Sequence, residues 1–195
     1  MPMYHVGNRE LQQQFGSVQL ADRLVEKLWR DRFTSDDTAF IEATSFFFLA
    51  TADKEGRPDC SFKGGPAGFA KILAADLLVF PDYDGNGMFK SLGNIRENGN
   101  VGLLFIALGE KPKRLRVNGK ASVHLDDPLM KGIPGAQAIV RVTPEHIFPN
   151  CPRYIPDLAS GTPSTYLPCE GRAPLEPAWK AFDAFKEVVP PRREL

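Results

Sequence analysis

A strict alternation of apolar and polar side chains runs from Arg114 to His124, and it constrains the fold more than any other feature of the sequence. A period of two residues is typical of a β-strand, in which successive side chains point to opposite faces of a sheet. One face would carry Leu115, Val117, Gly119, Ala121 and Val123, and the other would carry Arg114, Arg116, Asn118, Lys120, Ser122 and His124.

Apolar segments separated by turn residues predict five more strands. The run Phe46–Thr51 is continuously apolar and rich in aromatic residues, which predicts a strand buried on both faces. A turn at Asp53–Gly56 then leads into Arg57–Phe62, so that the two segments form a hairpin. A third strand is predicted at Leu77–Phe80, after a glycine-rich loop over Gly64–Gly68. The segment Val101–Leu108 is predicted as another buried strand, and a last strand is predicted around Ala138, Val140 and Val142.

Helical segments flank these strands. Ser17 is a candidate N-cap for a helix with Leu20, Leu24 and Leu28 on one face. Ser35 is a candidate cap for a second helix over Asp36–Ala43. A short helix is predicted from Phe89, Leu92 and Ile95 on one face, ending at Asn98-Gly99, and a last helix from Trp179, Phe182 and Phe185 within Pro177–Val188.

The strands follow one another with little helix between them, which favours a six-stranded antiparallel barrel with flanking helices over a doubly wound sheet. A length of 195 residues suits one domain with a sizeable core. We therefore predict a single domain over residues 1–195, with helices in 1–44, the barrel in 45–150, and an arm and a helix in 151–195.

Charge and composition exclude several functional classes. Lysine plus arginine equals aspartate plus glutamate at 24 each, so no overall positive charge favours nucleic acid or acidic membranes. The apolar runs are too short to span a bilayer, and no signal peptide is visible. Three widely spaced cysteines, Cys60, Cys151 and Cys169, argue against a disulfide framework and for a reducing, cytoplasmic setting.

Two segments carry chemistry that suits a phosphate. Ser61 and Lys63 lie two residues apart on a predicted strand, so they share a face, and Gly64 follows at once. Lys90 and Ser91 open the predicted short helix, where unpaired N–H groups attract anions. If the segments are adjacent, a phosphate fits between them. The alternative is that the glycines only make turns and the lysines only solvate the surface.

The order of several motifs resembles the pyridoxamine 5′-phosphate oxidase-related, FMN-binding split-barrel superfamily. Lys90-Ser91 falls where the true oxidases carry an Arg-Lys pair before a Leu-x-x-Asn-Pro motif, which here reads Ile95-Arg96-Glu97-Asn98-Gly99. Arg116-Val117-Asn118-Gly119 is similar to the family's Arg-Val-x-Gly strand. Further segments resemble the branch of predicted flavin-nucleotide-binding proteins: Gly64-Gly65-Pro66, Gly85-Asn86-Gly87, Leu92-Gly93-Asn94-Ile95 and Asn150-Cys151-Pro152-Arg153-Tyr154.

The resemblance implies a split β-barrel of the FMN-binding type and a homodimer with FMN at the subunit interface. It implies that Ser61, Lys63, Lys90 and Ser91, with Gly64 beside them, hold the FMN phosphate. It further implies that Asn86 and Asn94 are nearby polar contacts. Arg114 precedes the Arg-Val-x-Gly match, where the true oxidases have a glutamine near the flavin, and a cation there would stabilise the reduced anionic form. Arg153 and Tyr154 are candidates for a contact with the partner's flavin or a substrate anion.

Departures from the family pattern argue against pyridoxamine phosphate as the substrate. Lys-Ser replaces Arg-Lys, which removes one charge, and the chain ends in Pro190-Pro191-Arg192-Arg193-Glu194-Leu195 without the oxidases' substrate motif. We expect an FMN-dependent oxidoreductase of a small molecule, in which the flavin supplies the chemistry and no catalytic side chain is identified. The alternatives are a flavin carrier or redox sensor without turnover, a deazaflavin- or haem-binding relative, and a barrel that has lost its cofactor.

Other candidate groups form no recognisable site in the sequence. His5, His124 and His146 lack metal-ligand spacing, so no metal site is predicted. Cys151 is either a packing residue or a thiol activated by Arg153. Ser61 lacks a recognisable histidine and aspartate partner, which argues against a hydrolase.

Overall fold

A computed structural model describes residues 3–108, 112–156 and 175–190 of the chain. These residues form two compact units. The larger holds residues 30–107 and 112–150, and the smaller holds residues 3–29, 108, 151–156 and 175–190. The larger unit contains the whole sheet and the candidate site. A single domain spanning both units stays a prediction.

Four helices and seven strands lie in the described residues. The helices are α1 Val6–Gln14, α2 Val18–Leu28, α3 Ser35–Glu42 and α4 Lys90–Glu97. The strands are β1 Phe46–Ala52, β2 Pro58–Gly64, β3 Lys71–Ala74, β4 Leu77–Tyr83, β5 Asn100–Ala107, β6 Lys113–His124 and β7 Ala136–Asn150. Two short 3-10 helices span Pro128–Gly132 and Ala178–Ala181.

The strands form one antiparallel sheet in the order β2-β1-β5-β6-β7-β4-β3. The sheet does not close, so β2 and β3 are its edges among the described residues. The predicted mainly β, antiparallel split-barrel fold is confirmed. The strand count is seven instead of six, because β3 has only four residues directly after the glycine-rich loop and carries too little pattern to be recognised.

The core lies on one side of the hairpin strands, and this corrects one prediction. In β1, Phe47 and Leu49 are fully buried, whereas Phe48 between them is 37% exposed. The predicted burial on both faces is therefore wrong for β1, and β5 shows a similar alternation. An apolar run predicts that both faces of a strand avoid charge, but the part of the chain that the structure describes buries only the face with Phe47 and Leu49.

Strand β6 matches its prediction, and one glycine there is sterically required. Leu115, Val117 and Gly119 are buried on the core face. A Cβ on Gly119 would lie 2.1 Å from the carbonyl oxygen of Thr143, at the point where the β6–β7 register shifts. No side chain larger than hydrogen fits at this bulge.

Helix boundaries differ from prediction at two places. Thr34, not Ser35, caps α3: its hydroxyl accepts from the backbone N–H of Asp37, and Asp37 in turn accepts from the backbone N–H of Thr34. The helix predicted over Pro177–Val188 is instead a 3-10 helix followed by turns closed mainly by bonds between residues three apart, with Phe182 exposed. Ser17 stands at the N-cap position of α2, as predicted, but its side chain makes no capping hydrogen bond.

Candidate functional site

A cavity of about 400 Å³ lies between β2, the end of β4, the loop after β4 and the start of α4. It brings together five of the residues predicted from the sequence, Ser61, Lys63, Asn86, Lys90 and Ser91. We call it the polar cavity. Its other lining residues are Asp59, Phe62, Asp82, Tyr83, Gly85, Gly87, Met88, Phe89, Leu92 and Gln137.

The two predicted phosphate-binding segments meet directly. Ser61 and Lys63 lie on one face of β2, as their spacing predicts. The Ser61 hydroxyl oxygen lies 2.9 Å from the hydroxyl oxygen of Ser91, at the start of α4. This hydrogen bond joins the sheet edge to the helix. The adjacency assumed from the sequence is therefore present.

The N-terminus of α4 adds further donors to the polar cavity. The first N–H groups of a helix have no partner within the helix and carry partial positive charge. Lys90 is exposed and, within the described part of the chain, makes no ion pair or hydrogen bond. In the preceding loop, Asn86 Oδ1 accepts from the backbone N–H of Met88 at 3.0 Å, which closes a local turn just before the helix.

An ion pair that the sequence analysis missed also lies in the polar cavity. Lys63 Nζ donates to Asp82 Oδ1 at 3.1 Å, and the side-chain amide of Gln137 donates to Asp82 Oδ2 at 3.0 Å. Asp82 is buried, and it lies two residues after the fully buried Phe80 on β4, so that both are on the same face of the strand. A carboxylate at a core-facing position of an apolar strand predicts a cationic partner, and that signal was available in the sequence.

This donor set fits an anionic phosphate group, with one complication. Two hydroxyl groups, helix N–H groups and the Lys90 ammonium all point to anion binding. The Lys63 ammonium is already paired with Asp82. A phosphate would therefore share Lys63 with a carboxylate, and Lys90 supplies the cation that has no partner among the described residues.

Four predicted site residues do not line the polar cavity. Gly64 ends β2 next to Lys63. Asn94 is buried and donates from Nδ2 to the Thr51 hydroxyl at 3.0 Å. Arg114 pairs in register with Asn150 at one end of β7, far from Gln137 near the other end. Their cofactor contacts stay predictions.

Arg153, the fourth, belongs to the smaller unit, where its guanidinium lies 5.3 Å from the centre of the Tyr154 ring. Its predicted contact with a partner's flavin or a substrate stays a prediction. Cys60 is a free, exposed thiol, and Cys169 lies outside the described residues. Whether Cys151 is a packing residue or a reactive thiol stays a prediction.

A second cavity of about 380 Å³ adjoins the first, and we call it the apolar cavity. It lies beside α4, at the end of β6 and the start of β7. It shares Phe89, Leu92 and Gln137 with the polar cavity. Its other lining residues are Gly93, Arg96, Val123, Leu125 and Ala138.

Phe89 differs from its predicted role. The sequence predicts that Phe89, Leu92 and Ile95 form one face of the short helix, and in the structure Leu92 and Ile95 are buried. Phe89 is instead the N-cap of α4, with φ 49° and ψ 30°, and is 54% exposed. It is the only non-glycine residue with positive φ in the described part of the chain. A bulky residue there is a strained outlier of the kind that occurs at binding sites.

No helix among the described residues is long and apolar enough to cross a membrane. The same residues contain no cluster of three or more histidine, cysteine, aspartate or glutamate side chains that could hold a metal ion.

Comparison with known proteins gives one family and several structural likenesses. Residues 33–151, more than half of the chain, match the family model described as pyridoxamine 5′-phosphate oxidase. HupZ of Group A Streptococcus is 17% identical, with 68% of this chain and 98% of that one covered and a TM-score of 0.48. An FMN-binding protein from Syntrophomonas wolfei is 12% identical (74% and 97% covered, TM-score 0.44). An FAD-binding protein from Mesorhizobium loti is 16% identical (63% and 95% covered, TM-score 0.44). The search of curated proteins found no match.

Proposed function

Because this chain belongs to the pyridoxamine 5′-phosphate oxidase family of flavin-binding split barrels, we propose that it binds FMN and acts as an oxidoreductase on a small molecule. The observation that carries the proposal is the contact between Ser61 on β2 and Ser91 on α4, with Lys63 and Lys90 in the same cavity. These groups supply the hydroxyl, ammonium and helix N–H donors that a flavin phosphate requires.

The chain's own residues would anchor and orient the cofactor. Bound FMN supplies hydride and electron transfer. Ser61, Ser91 and Lys90 would hold the phosphate, while the Lys63–Asp82 pair keeps one wall of the cavity electrically neutral. Pyridoxamine phosphate is not the proposed substrate, because Lys90 is assigned to the FMN phosphate and Lys63 is paired with Asp82, which leaves no further lysine among the described residues of the polar cavity for a second phosphate.

A second copy of this chain is the proposed partner, at the outward face of the β1–β2 hairpin. Phe46 stacks on Phe62 with 5.4 Å between ring centres, and Phe48 meets Phe62 edge-on at 6.1 Å. Phe62 is 62% exposed, and the face also carries Ala50 and Cys60 but no charge. A two-fold interface needs a patch that complements itself, and an uncharged aromatic cluster meets this need.

The proposed interface lies next to the proposed cofactor site, because Phe62 of the aromatic face lies between Ser61 and Lys63 on β2. A partner on the aromatic face would therefore lie beside the polar cavity. This arrangement supports a flavin site near the subunit interface. A cytoplasmic location stays a prediction.

The first experiment is the visible absorbance spectrum of the purified protein, with mass spectrometry of what heat releases. A flavin spectrum and released FMN would support the proposal. A colourless protein that also fails to bind added FMN would overturn it, and a haem or deazaflavin spectrum would replace FMN by that cofactor. Anaerobic reduction by NAD(P)H followed by transfer to an added acceptor distinguishes an enzyme from a flavin carrier.

A further inference from the structure

The apolar cavity has the composition of a small-molecule site, which differs from that of its polar neighbour. Leu92, Val123, Leu125 and Ala138 are four of its eight lining residues, and Phe89 is a fifth apolar one. Ligand sites are concave, mostly apolar and equipped with a few polar groups that orient the ligand. The volume of about 380 Å³ lies within the range of such sites.

One cation lies in this apolar wall. Arg96, in the last turn of α4, lines the cavity and is exposed. It makes no ion pair or hydrogen bond within the residues that the structure describes. A guanidinium presents a planar fork of N–H donors that matches a carboxylate. The charge of Arg96 therefore favours a ligand that carries a carboxylate.

The strained residue Phe89 supplies a flat aromatic surface. Its left-handed backbone conformation is unfavourable for a bulky residue and is retained only where the surroundings enforce it. The result is a ring that is half exposed and that lines both cavities. An exposed phenyl ring favours stacked or edge-on contact with another ring, so the body of the ligand is expected to be flat and aromatic.

We propose that the apolar cavity is a second ligand site, which binds a flat aromatic small molecule carrying one carboxylate. The ring packs against Phe89 and the aliphatic wall, and the carboxylate accepts hydrogen bonds from Arg96. The proposal goes beyond flavin binding and does not depend on it. Because Phe89, Leu92 and Gln137 line both cavities, ligands in the two cavities would be neighbours.

The test is calorimetric titration of the purified full chain with 1-naphthoate and with its uncharged analogue 1-naphthamide. Naphthoate should bind more tightly than naphthamide. Arg96→Gln should weaken naphthoate binding about tenfold and leave naphthamide binding unchanged, because it removes only the charge-assisted hydrogen bonds. The matched control is Arg32→Gln, an exposed arginine outside both cavities, which should change neither affinity.

A second variant tests the apolar wall. Leu125 is exposed, so Leu125→Asp costs no core packing, yet it adds a negative charge to the wall and should abolish naphthoate binding. No saturable binding of naphthoate by the wild-type chain would overturn the proposal. So would an equal loss of both probes in Arg96→Gln, or unchanged naphthoate binding in Leu125→Asp.

The titrations are done with and without added FMN, so that the two proposals can fail separately. Naphthoate binding by a chain that does not bind FMN would support the second site and overturn the flavin proposal. FMN binding by a chain that does not bind naphthoate would support the flavin proposal and overturn the second site.

Discussion

The side-chain nitrogen of Lys63 lies 3.1 Å from Oδ1 of Asp82, inside the cavity proposed for the flavin phosphate. Gln137 donates to the other carboxylate oxygen, so both oxygens of Asp82 have partners. The charge of Lys63 is therefore largely neutralised by the protein itself. Two lysines in one cavity are not equivalent: Lys63 is shared with a carboxylate, and Lys90 has no partner among the described residues.

Removal of the competing carboxylate should strengthen phosphate binding. In Asp82→Asn, Lys63 no longer has an anionic partner, and we expect FMN affinity to rise about three- to tenfold, since a like charge beside the phosphate is lost. Quenching of FMN fluorescence measures the affinity. Riboflavin, which lacks the phosphate, should show no comparable gain. Asp84→Asn, an exposed carboxylate in the next loop, is the matched control. An unchanged or lower FMN affinity in Asp82→Asn would contradict the shared-lysine account.

Lys90 should contribute to phosphate binding without contributing to stability. Lys90→Ala is expected to lower FMN affinity about tenfold, through loss of one charge-assisted contact, with riboflavin affinity and Tm unchanged. Isothermal titration and thermal unfolding give these quantities. Lys54→Ala, in the exposed turn between β1 and β2, should behave like the wild type. Equal losses of FMN and riboflavin would show that Lys90 does not act on the phosphate.

Backbone strain at Phe89 can be measured by comparing two variants that both remove the ring. Glycine adopts φ 49° freely, whereas alanine does not. We expect Phe89→Gly to be more stable than Phe89→Ala by about 1 kcal/mol, measured as the free energy of unfolding in urea. Leu11→Gly against Leu11→Ala, at an exposed position within α1, should show the opposite order. If the alanine variant were the more stable one at position 89 as well, the backbone at Phe89 would not be strained.

Acid should break the pair between Asp127 and Arg141. Arg141 Nε donates to Asp127 Oδ2 at 2.7 Å, and the backbone N–H of Leu129 donates to Oδ1 at 3.0 Å. The hydrogen bond from Arg141 is the main cause that lowers the pKa of Asp127 below its ordinary value, against the opposing effect of burial. A carboxyl whose pKa is lower in the folded than in the unfolded protein stabilises the fold above the unfolded-state pKa. That stabilisation is lost as the pH falls through the folded-state pKa.

Asp127→Asn should accordingly lose about 1–3 kcal/mol of unfolding free energy near pH 7, and its deficit should shrink as the pH falls through the acid range. Unfolding curves across that range measure the effect. Asp126→Asn, an exposed neighbour, is the control. A deficit of constant size at every pH would show that the charge of Asp127 is not what stabilises the pair.

The aromatic face should determine the oligomeric state. Phe62→Lys places a charge beside the half-buried Phe46 and the exposed Phe48 without loss of core packing. Sedimentation velocity should show a monomer for this variant and a dimer for the wild type. Leu73→Lys, an exposed position on the opposite edge strand β3, should stay dimeric. A monomeric wild type, or a dimeric Phe62→Lys, would overturn the proposed interface.

The sequence predicted the strands that have a clear period. The alternation over Arg114–His124 predicted both the strand and the face that it buries, because with a period of two all the apolar side chains lie on the same face of the sheet. The shared face of Ser61 and Lys63 followed from the same rule. Asn94 shows the limit of such reasoning: the sequence could not show that its amide donates to the Thr51 hydroxyl inside the core.

By itself, the sequence determined the antiparallel β-fold, the start of α4 at Lys90-Ser91 and the donor chemistry of the polar cavity, because these depend on local periodicity and residue type. Only the tertiary structure decided which strands are neighbours and that Asp82 neutralises Lys63. It also decided that Phe89 is the N-cap of α4 and lines both cavities. Those outcomes depend on contacts between residues far apart in the chain, whose pairing is set by packing of the whole sheet and not by any local pattern.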